Sequence, residues 1–206
     1  MINSVIFIVV IIICLYLIFK ALSRQGSNPN GFGAKFMLKR WAKKNNSLYE
    51  WAIKNTIVDD VHDILDLGIG SGTSSKALAN HFKKAQVVGI DKSKDAVEYA
   101  RTLNKEIIDR GQVGIIQGDV HQLGLKKNSF DLVYVFDNIL YWEDLEKALS
   151  GIHVLMRDNA SLIIAERIIY LNDDIQLLIE GLIKELGFND FRVIEDEQFV
   201  MYQINK

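Results

Sequence analysis

Residues 62–78 read HDILDLGIGSGTSSKAL. Ile64, Leu65 and Leu67 form a short apolar run of the kind buried on both faces of a sheet. Gly68, Gly70 and Gly72 follow at a spacing of two, and the apolar spacing then predicts a helix over residues 74–84. A strand that enters a helix through glycines brings backbone N–H groups close to a ligand, with no Cβ in the way. The stretch predicts a nucleotide pocket, and the rest of the chain must say which nucleotide.

The chain has 206 residues and a formal net charge of −2. That length fits one domain, and that charge leaves no overall basic footprint for nucleic acid. Its one cysteine, Cys14, falls in the apolar N-terminal run. The globular part therefore has no disulfide framework, no zinc spacing of cysteines and no cysteine nucleophile. His62, His81, His121 and His153 do not have a metal-binding spacing either.

The N-terminus is the strongest compositional signal. Residues 5–19, VIFIVVIIICLYLIF, carry no charge, and residues 2–22 are long enough to span a bilayer as a helix. A cleavable signal peptide is the rival reading, since Ala21-Leu22-Ser23 loosely resembles a cleavage site. Against it, no Lys or Arg precedes the run. A buried core helix is the other rival, but the run has no apolar stripe, being apolar all round. Lys20, Arg24, Lys35, Lys39, Arg40, Lys43 and Lys44 all follow the run. The expectation is an anchor over residues 1–24 with the following domain facing the cytoplasm. Residues 25–34 read as a linker, and residues 35–206 as the domain. Residues 35–54 read as one or two amphipathic helices whose cations suit anionic lipid, with Phe36, Met37, Leu48, Trp51 and Ala52 as packing residues.

Strands are expected at residues 64–67, 86–90, 113–117, 132–136, 161–165, 191–195 and 199–204, with helical spacing between them. Such alternation predicts an α/β fold: a Rossmann-like, seven-stranded, mostly parallel sheet covered on both faces. Only residues 196–198 separate the last two strands, too few for a parallel crossover, so an antiparallel hairpin is expected at the sheet edge.

The glycines alone do not choose the nucleotide. A dinucleotide fingerprint needs glycine at the sixth position from Gly68, where this chain has Thr73, and no phosphate-loop motif is present. The acids that follow are more selective. Asp91 ends strand two, where a carboxylate can accept hydrogen bonds from two ribose hydroxyls, and Asp119 follows strand three, within reach of an exocyclic amine. Asp131 precedes strand four and Asp137 follows it; these acids are read together as lying at the ligand-binding edge of the sheet. Acids around a pocket without a cluster of cations suit a positively charged ligand that lacks phosphates, and S-adenosylmethionine fits. Taken singly, Gly68 also fits a plain turn, Asp91 a helix cap and Asp119 a solvated loop. Their order along the chain is what those plain readings leave unexplained.

With these motifs the chain resembles the class I S-adenosylmethionine-dependent methyltransferases. The resemblance runs through ILDLGIGSG, VVGIDKSKDAVEYA, IIQGDVHQLGLKKNSFDLVYVFDNILYWEDLEKAL, SLIIAE and LIKELGF. It implies that Gly68, Gly70 and Gly72 pass under the methionine part of the cofactor and that Asp66 helps to orient it. It further implies that Asp91 holds the ribose, Lys92 borders the adenine and Asp119 accepts from its amine. The Val120 N–H meets the ring, and Asp137 lies near the methionine end. The family often has Pro-Gly-Gly before strand five; this chain has residues 157–160, RDNA, with Asn159 able to take the left-handed turn.

Methyl transfer from a sulfonium needs positioning more than acid–base help, and no catalytic base is assigned. Tyr141, Trp142, Glu166 and Tyr170 are candidates to face the acceptor. The Asn/Asp-Pro-Pro-Tyr turn of amino-methylating nucleic-acid enzymes is absent after strand four, so no nucleic-acid partner is expected. An anchored domain meets lipid-soluble acceptors at high local concentration, which favours a lipid-like or other small acceptor. A soluble metabolite acceptor, or a tethered cofactor-binding regulator without catalysis, is the alternative.

Overall fold

A computed structural model describes residues 29–206. Among them no helix is long and apolar enough to cross a membrane. The apolar run over residues 2–22, expected as an anchor, lies outside the described residues.

The elements alternate as their periodicity dictates. Two helices, α1 (Ala34–Lys44) and α2 (Asn46–Asn55), precede β1 (Asp63–Leu67). Then come α3 (Thr73–His81), β2 (Gln86–Asp91), α4 (Lys94–Leu103), α5 (Lys105–Asp109) and β3 (Val113–Gln117). The second half holds β4 (Phe130–Phe136), α6 (Leu145–Leu155), β5 (Met156–Arg167), α7 (Asp173–Glu185), β6 (Asp190–Glu195) and β7 (Phe199–Asn205). One seven-stranded sheet results, ordered β3-β2-β1-β4-β5-β7-β6. β7 runs antiparallel between β5 and β6, so the expected hairpin forms with β6 at the edge.

Period-two burial sorts the strand residues onto two faces. Ile64, Leu132, Tyr134 and Phe136 pack with α2, α3 and α4 residues such as Leu48, Leu78 and Ala100. Leu65, Leu67, Val133 and Val135 pack on the other face with Leu149 and Ile152 of α6 and Ile179 and Ile183 of α7. Both faces of β1 are therefore covered, which is why its sequence reads as nearly continuous apolar residues.

Several expectations need adjusting. α3 stops at His81 rather than residue 84, because Phe82 leaves helical geometry and Ala85 turns back onto its carbonyl at 2.9 Å to feed β2. β5 begins five residues before the expected 161, with Asn159 in the left-handed region at φ 66°. Phe36 is not a packing residue: it is 69% exposed, while α1 buries Ala34 and Leu38. Asp131 does not lie at the ligand-binding edge. It sits at the start of β4, accepts from the backbone N–H groups of His62 and Asp63, and pairs with Arg157 at 2.6 Å. Part of the stretch read as linker is docked on the domain, since the Gly31 N–H donates to Asp95 at 2.6 Å and the Ser93 hydroxyl donates to the Pro29 carbonyl.

Candidate active site

β1, β2, β3 and β4 all end at one edge of the sheet, and two connected hollows open there. One is lined by Gly68, Gly70, Asp91, Asp137, Tyr141 and Tyr170, among others. The other is lined by Gly68, Asp91, Lys92, Asp119, Val120 and Trp142, among others. Gly68, Asp91, Asn138 and Tyr141 belong to both, so the hollows form one cleft with these residues at its waist.

The chain turns under the cleft at Gly68, with φ 73°. A Cβ built there would come within 1.7 Å of Asn138 Nδ2, so backbone and Asn138 side chain approach as only glycine allows. Gly72, at φ 77°, serves a different contact. Its Cβ would lie 2.6 Å from Ala100 Cβ, and the Asn104 side chain donates to the Gly72 carbonyl at 3.0 Å. Gly72 therefore supplies the close approach of the loop to α4, while Gly68 and Gly70 line the cleft.

Asp91 takes backbone N–H groups from Gly70 and Ser93, each at 2.8 Å, one on each carboxylate oxygen. Burial raises its pKa, opposed by those two hydrogen bonds. A carboxylate has about four acceptor sites, so two remain for vicinal hydroxyls. Asp119 accepts from the His121 N–H at 2.9 Å, contacts His121 Nδ1 at 2.7 Å, and is held below the ordinary carboxylate range chiefly by that backbone bond. Asp137, at φ 50°, is paired through Oδ2 with Arg167. Its Oδ1 is buried without a hydrogen-bond partner, an acceptor available to an ammonium in the cleft.

Asp66 stands apart from the other predicted site residues. It is fully buried, lines neither hollow, and takes the Ser74 and Ser75 hydroxyls on Oδ2 at 2.7 Å each. Burial pushes its pKa up to about 6. Its visible work is to fasten the first turn of α3 to β1. Glu166 is also withdrawn from the cleft: it is 1% exposed, and Oε1 accepts the Asn138 and Ile139 N–H groups at 2.8 and 2.9 Å. It shapes the turn beside the cleft, whereas Tyr141 and Tyr170 line the cleft itself.

Residues that the sequence reading missed close the first hollow. Trp41, Lys44, Asn45 and Tyr49 line it from α1, α2 and the residue between them. Lys44 Nζ donates to the Tyr170 hydroxyl at 3.0 Å. Arg167 Nη2 donates to the Lys44 carbonyl at 3.0 Å and to Asn45 Oδ1 at 3.2 Å. Sequence spacing marks this stretch only as amphipathic helix with lipid-facing cations; which of its residues meet the cleft is set by how the helices dock. Among the described residues, no group of acids, histidines or cysteines is arranged to hold a metal ion.

Residues 64–159 match the family model described as "Methyltransferase domain". Among curated proteins, the O-methyltransferase cnsE of Penicillium expansum is 36% identical over 103 residues, covering 50% of this chain and 37% of that protein. The chain thus spans well under half the length of that relative. The fold is shared with a SAM-dependent methyltransferase from Aquifex aeolicus (TM-score 0.72, 17% identity, 85% of this chain and 99% of that one). It is also shared with phosphoethanolamine N-methyltransferase 2 of Haemonchus contortus, solved with S-adenosyl-L-methionine (TM-score 0.68, 17% identity, 82% of this chain and 56% of that one). The residues at the cleft and these matches agree: residues 64–159 are similar to a methyltransferase domain, on a fold shared with S-adenosylmethionine-dependent methyltransferases.

Proposed function

We propose that this protein moves a methyl group from S-adenosylmethionine to a small, lipophilic or membrane-associated acceptor, and that residues 2–22 anchor it with the domain on the cytoplasmic side. The observation that carries the cofactor assignment is the convergence of Gly68, Gly70, Asp91, Lys92, Asp119, Val120 and Asp137 on one cleft. Asp91 offers acceptors to the ribose hydroxyls, and the loop at Asp119 and Val120 faces the adenine. Asp137 Oδ1, buried and unpartnered, suits the cofactor's ammonium. Asp66 fastens α3 through Oδ2, and its Oδ1 is likewise buried and unpartnered.

The cofactor supplies an electrophilic methyl on a good leaving group, so this chain's task is positioning. Trp41, Lys44, Tyr49, Tyr141 and Tyr170 wall the methionine side, where the acceptor must approach. Burial raises the Tyr141 pKa, so its phenol stays protonated near neutrality and can donate to an acceptor oxygen. Glu166 is occupied with backbone N–H groups, and we assign no base. The name of the Penicillium relative supports oxygen as the methylated atom. Support for the membrane setting comes from sequence: an uncharged run followed, up to Lys44, by seven Lys and Arg residues.

The test is calorimetric titration of the full chain in detergent with S-adenosylmethionine, then incubation with labelled cofactor and a membrane extract. Saturable binding, weak NAD binding and label in the organic phase are expected. A preference for NAD would overturn the assignment, and binding without transfer to any acceptor would leave a cofactor-binding regulator.

A further inference from the structure

Among the described residues twelve large apolar side chains are exposed, and half of them follow β4 or β5 in the chain. Leu140 and Tyr141 follow β4; Ile169, Tyr170, Leu177 and Leu178 follow β5. Tyr141 and Tyr170 line the cleft, and Ile169, at 80%, is the most exposed large apolar side chain of the twelve. Leu140, Tyr141, Ile169 and Tyr170 stand where the two strands leave the sheet at its ligand-binding edge, so these four border the entrance, while Leu177 and Leu178 lie on α7.

Two further features adjoin this entrance. α1 reads AKFMLKRWAKK, with five cations, no acid and an exposed Phe36. Lys44 at its end reaches Tyr170, with Nζ 3.0 Å from the hydroxyl and 5.4 Å from the ring centroid. Pro29 also lines the cleft, and six residues separate it from Leu22, the end of the apolar run. Seven Cα steps reach at most about 25 Å. The covalent chain therefore keeps the end of the apolar run, Leu22, within that distance of Pro29.

We propose that the mouth of the cleft is a bilayer-docking face, seated on anionic lipid with Leu140, Ile169 and Tyr170 at the headgroup–acyl boundary and α1 over the headgroups. The proposal rests on the anchor reading and deepens it. Apolar and aromatic side chains beside lysines are what the interface of an anionic membrane takes up, and the short tether holds this face near the surface. An acidic protein would satisfy α1 but would give no role to Leu140 and Ile169. An acceptor then passes from the bilayer into the cleft between Tyr141 and Tyr170 without crossing water.

The experiment uses the full chain with Cys14→Ser, reconstituted in phosphatidylcholine–phosphatidylglycerol vesicles and carrying an environment-sensitive fluorophore at Ile169→Cys or Asp158→Cys. Asp158 is exposed at the other end of β5, about 30 Å along the strand. Expected is a blue-shifted Ile169 probe, quenched by lipids bearing a nitroxide on the acyl chain, with the Asp158 probe unaffected. An Ile169 probe that behaves like the Asp158 probe overturns the docking face; resistance of the same sample to alkaline carbonate would then leave the anchor standing. Quenching at Ile169 in a chain that carbonate releases keeps the face and overturns the anchor. A chain that fails to associate with the vesicles overturns both.

Discussion

Arg167 holds Asp137 with one guanidinium nitrogen and the α1–α2 junction with another: Nη1 donates to Asp137 Oδ2, and Nη2 donates to the Lys44 carbonyl at 3.0 Å. Asp137, which lines the cleft, is thereby tied to the helices that cover it. The pair is largely removed from solvent, with side chains 10% and 13% exposed. Removing one partner of a buried ion pair costs about 3–5 kcal/mol, because the other charge stays behind unpaired. Arg167→Met should therefore lower stability to urea by that amount and speed hydrogen exchange across residues 34–45. Unchanged exchange there would show that α1 and α2 are held by packing alone.

Asp91 supports the loop and lines both hollows, where the proposed function has it accept from the ribose. In Asp91→Ala the Gly70 and Ser93 N–H groups lose their acceptor, and a ribose would meet a methyl group. Losing hydrogen bonds to a charged acceptor costs about 1.5–3 kcal/mol, roughly a tenfold to hundredfold weakening of cofactor binding. Calorimetry with S-adenosylmethionine on a variant of native circular dichroism checks it, and near-native affinity would contradict the assignment.

Gly68 and Gly72 share positive φ but should fail differently. Gly68→Ala puts a methyl into Asn138 at the waist of the cleft, so cofactor binding should be lost while most of the fold survives. Gly72→Ala presses on Ala100 and Asn104, away from the cleft. It should cost about 1–3 kcal/mol of stability as overpacking, with cofactor affinity retained by the folded fraction. Urea melts and titrations of both variants separate the two effects.

Much of this arrangement was legible in the sequence, for physical reasons. Buried parallel strands such as residues 64–67 advertise themselves as apolar runs, and the two-residue spacing of Gly68, Gly70 and Gly72 marks a turn that side chains would obstruct. The ends of consecutive strands then gather Asp91, Asp119 and Asp137 at one edge, because topology alone places them there. The part of Asp66 that the sequence did not reveal is its fastening of α3, since its assignment came from the resemblance and not from what covers it; Ser74 and Ser75 donate to its Oδ2. Asp131 was misplaced because it enters β4 at the amino end. Arg167 and the α1–α2 lining were invisible, since their roles depend on how separate elements dock more than 100 residues apart in sequence.

Lys44 and Tyr170 should govern the acceptor rather than the cofactor. Their 3.0 Å hydrogen bond is exposed and borders the first hollow, and neither residue lines the hollow that holds Asp119 and Val120. Lys44→Met and Tyr170→Phe should each reduce labelled-methyl transfer to membrane extract, by about tenfold if one hydrogen bond worth roughly 1.5 kcal/mol is lost. S-adenosylmethionine affinity should stay unchanged. Matching losses of affinity and transfer would move both residues to the cofactor side.

Glu166 makes stability depend on pH in a direction opposite to a surface carboxylate. Burial pushes its pKa up to about 8 from an ordinary 4.5. Between those values the folded protein keeps a proton that the unfolded chain releases, so stability is lost as pH rises through this window. In Glu166→Gln the amide oxygen can still accept the Asn138 and Ile139 N–H groups, but nothing titrates. The variant should therefore gain on the native protein as pH rises from about 4.5 to about 8, by a few kcal/mol at one pKa unit per ~1.4 kcal/mol. Other groups titrate in both proteins and cancel in the difference. Urea unfolding of the pair at a series of pH values measures it; a difference that is flat, or that falls with pH, would mean that Glu166 is charged in the native state and that the turn at 138–139 binds a carboxylate.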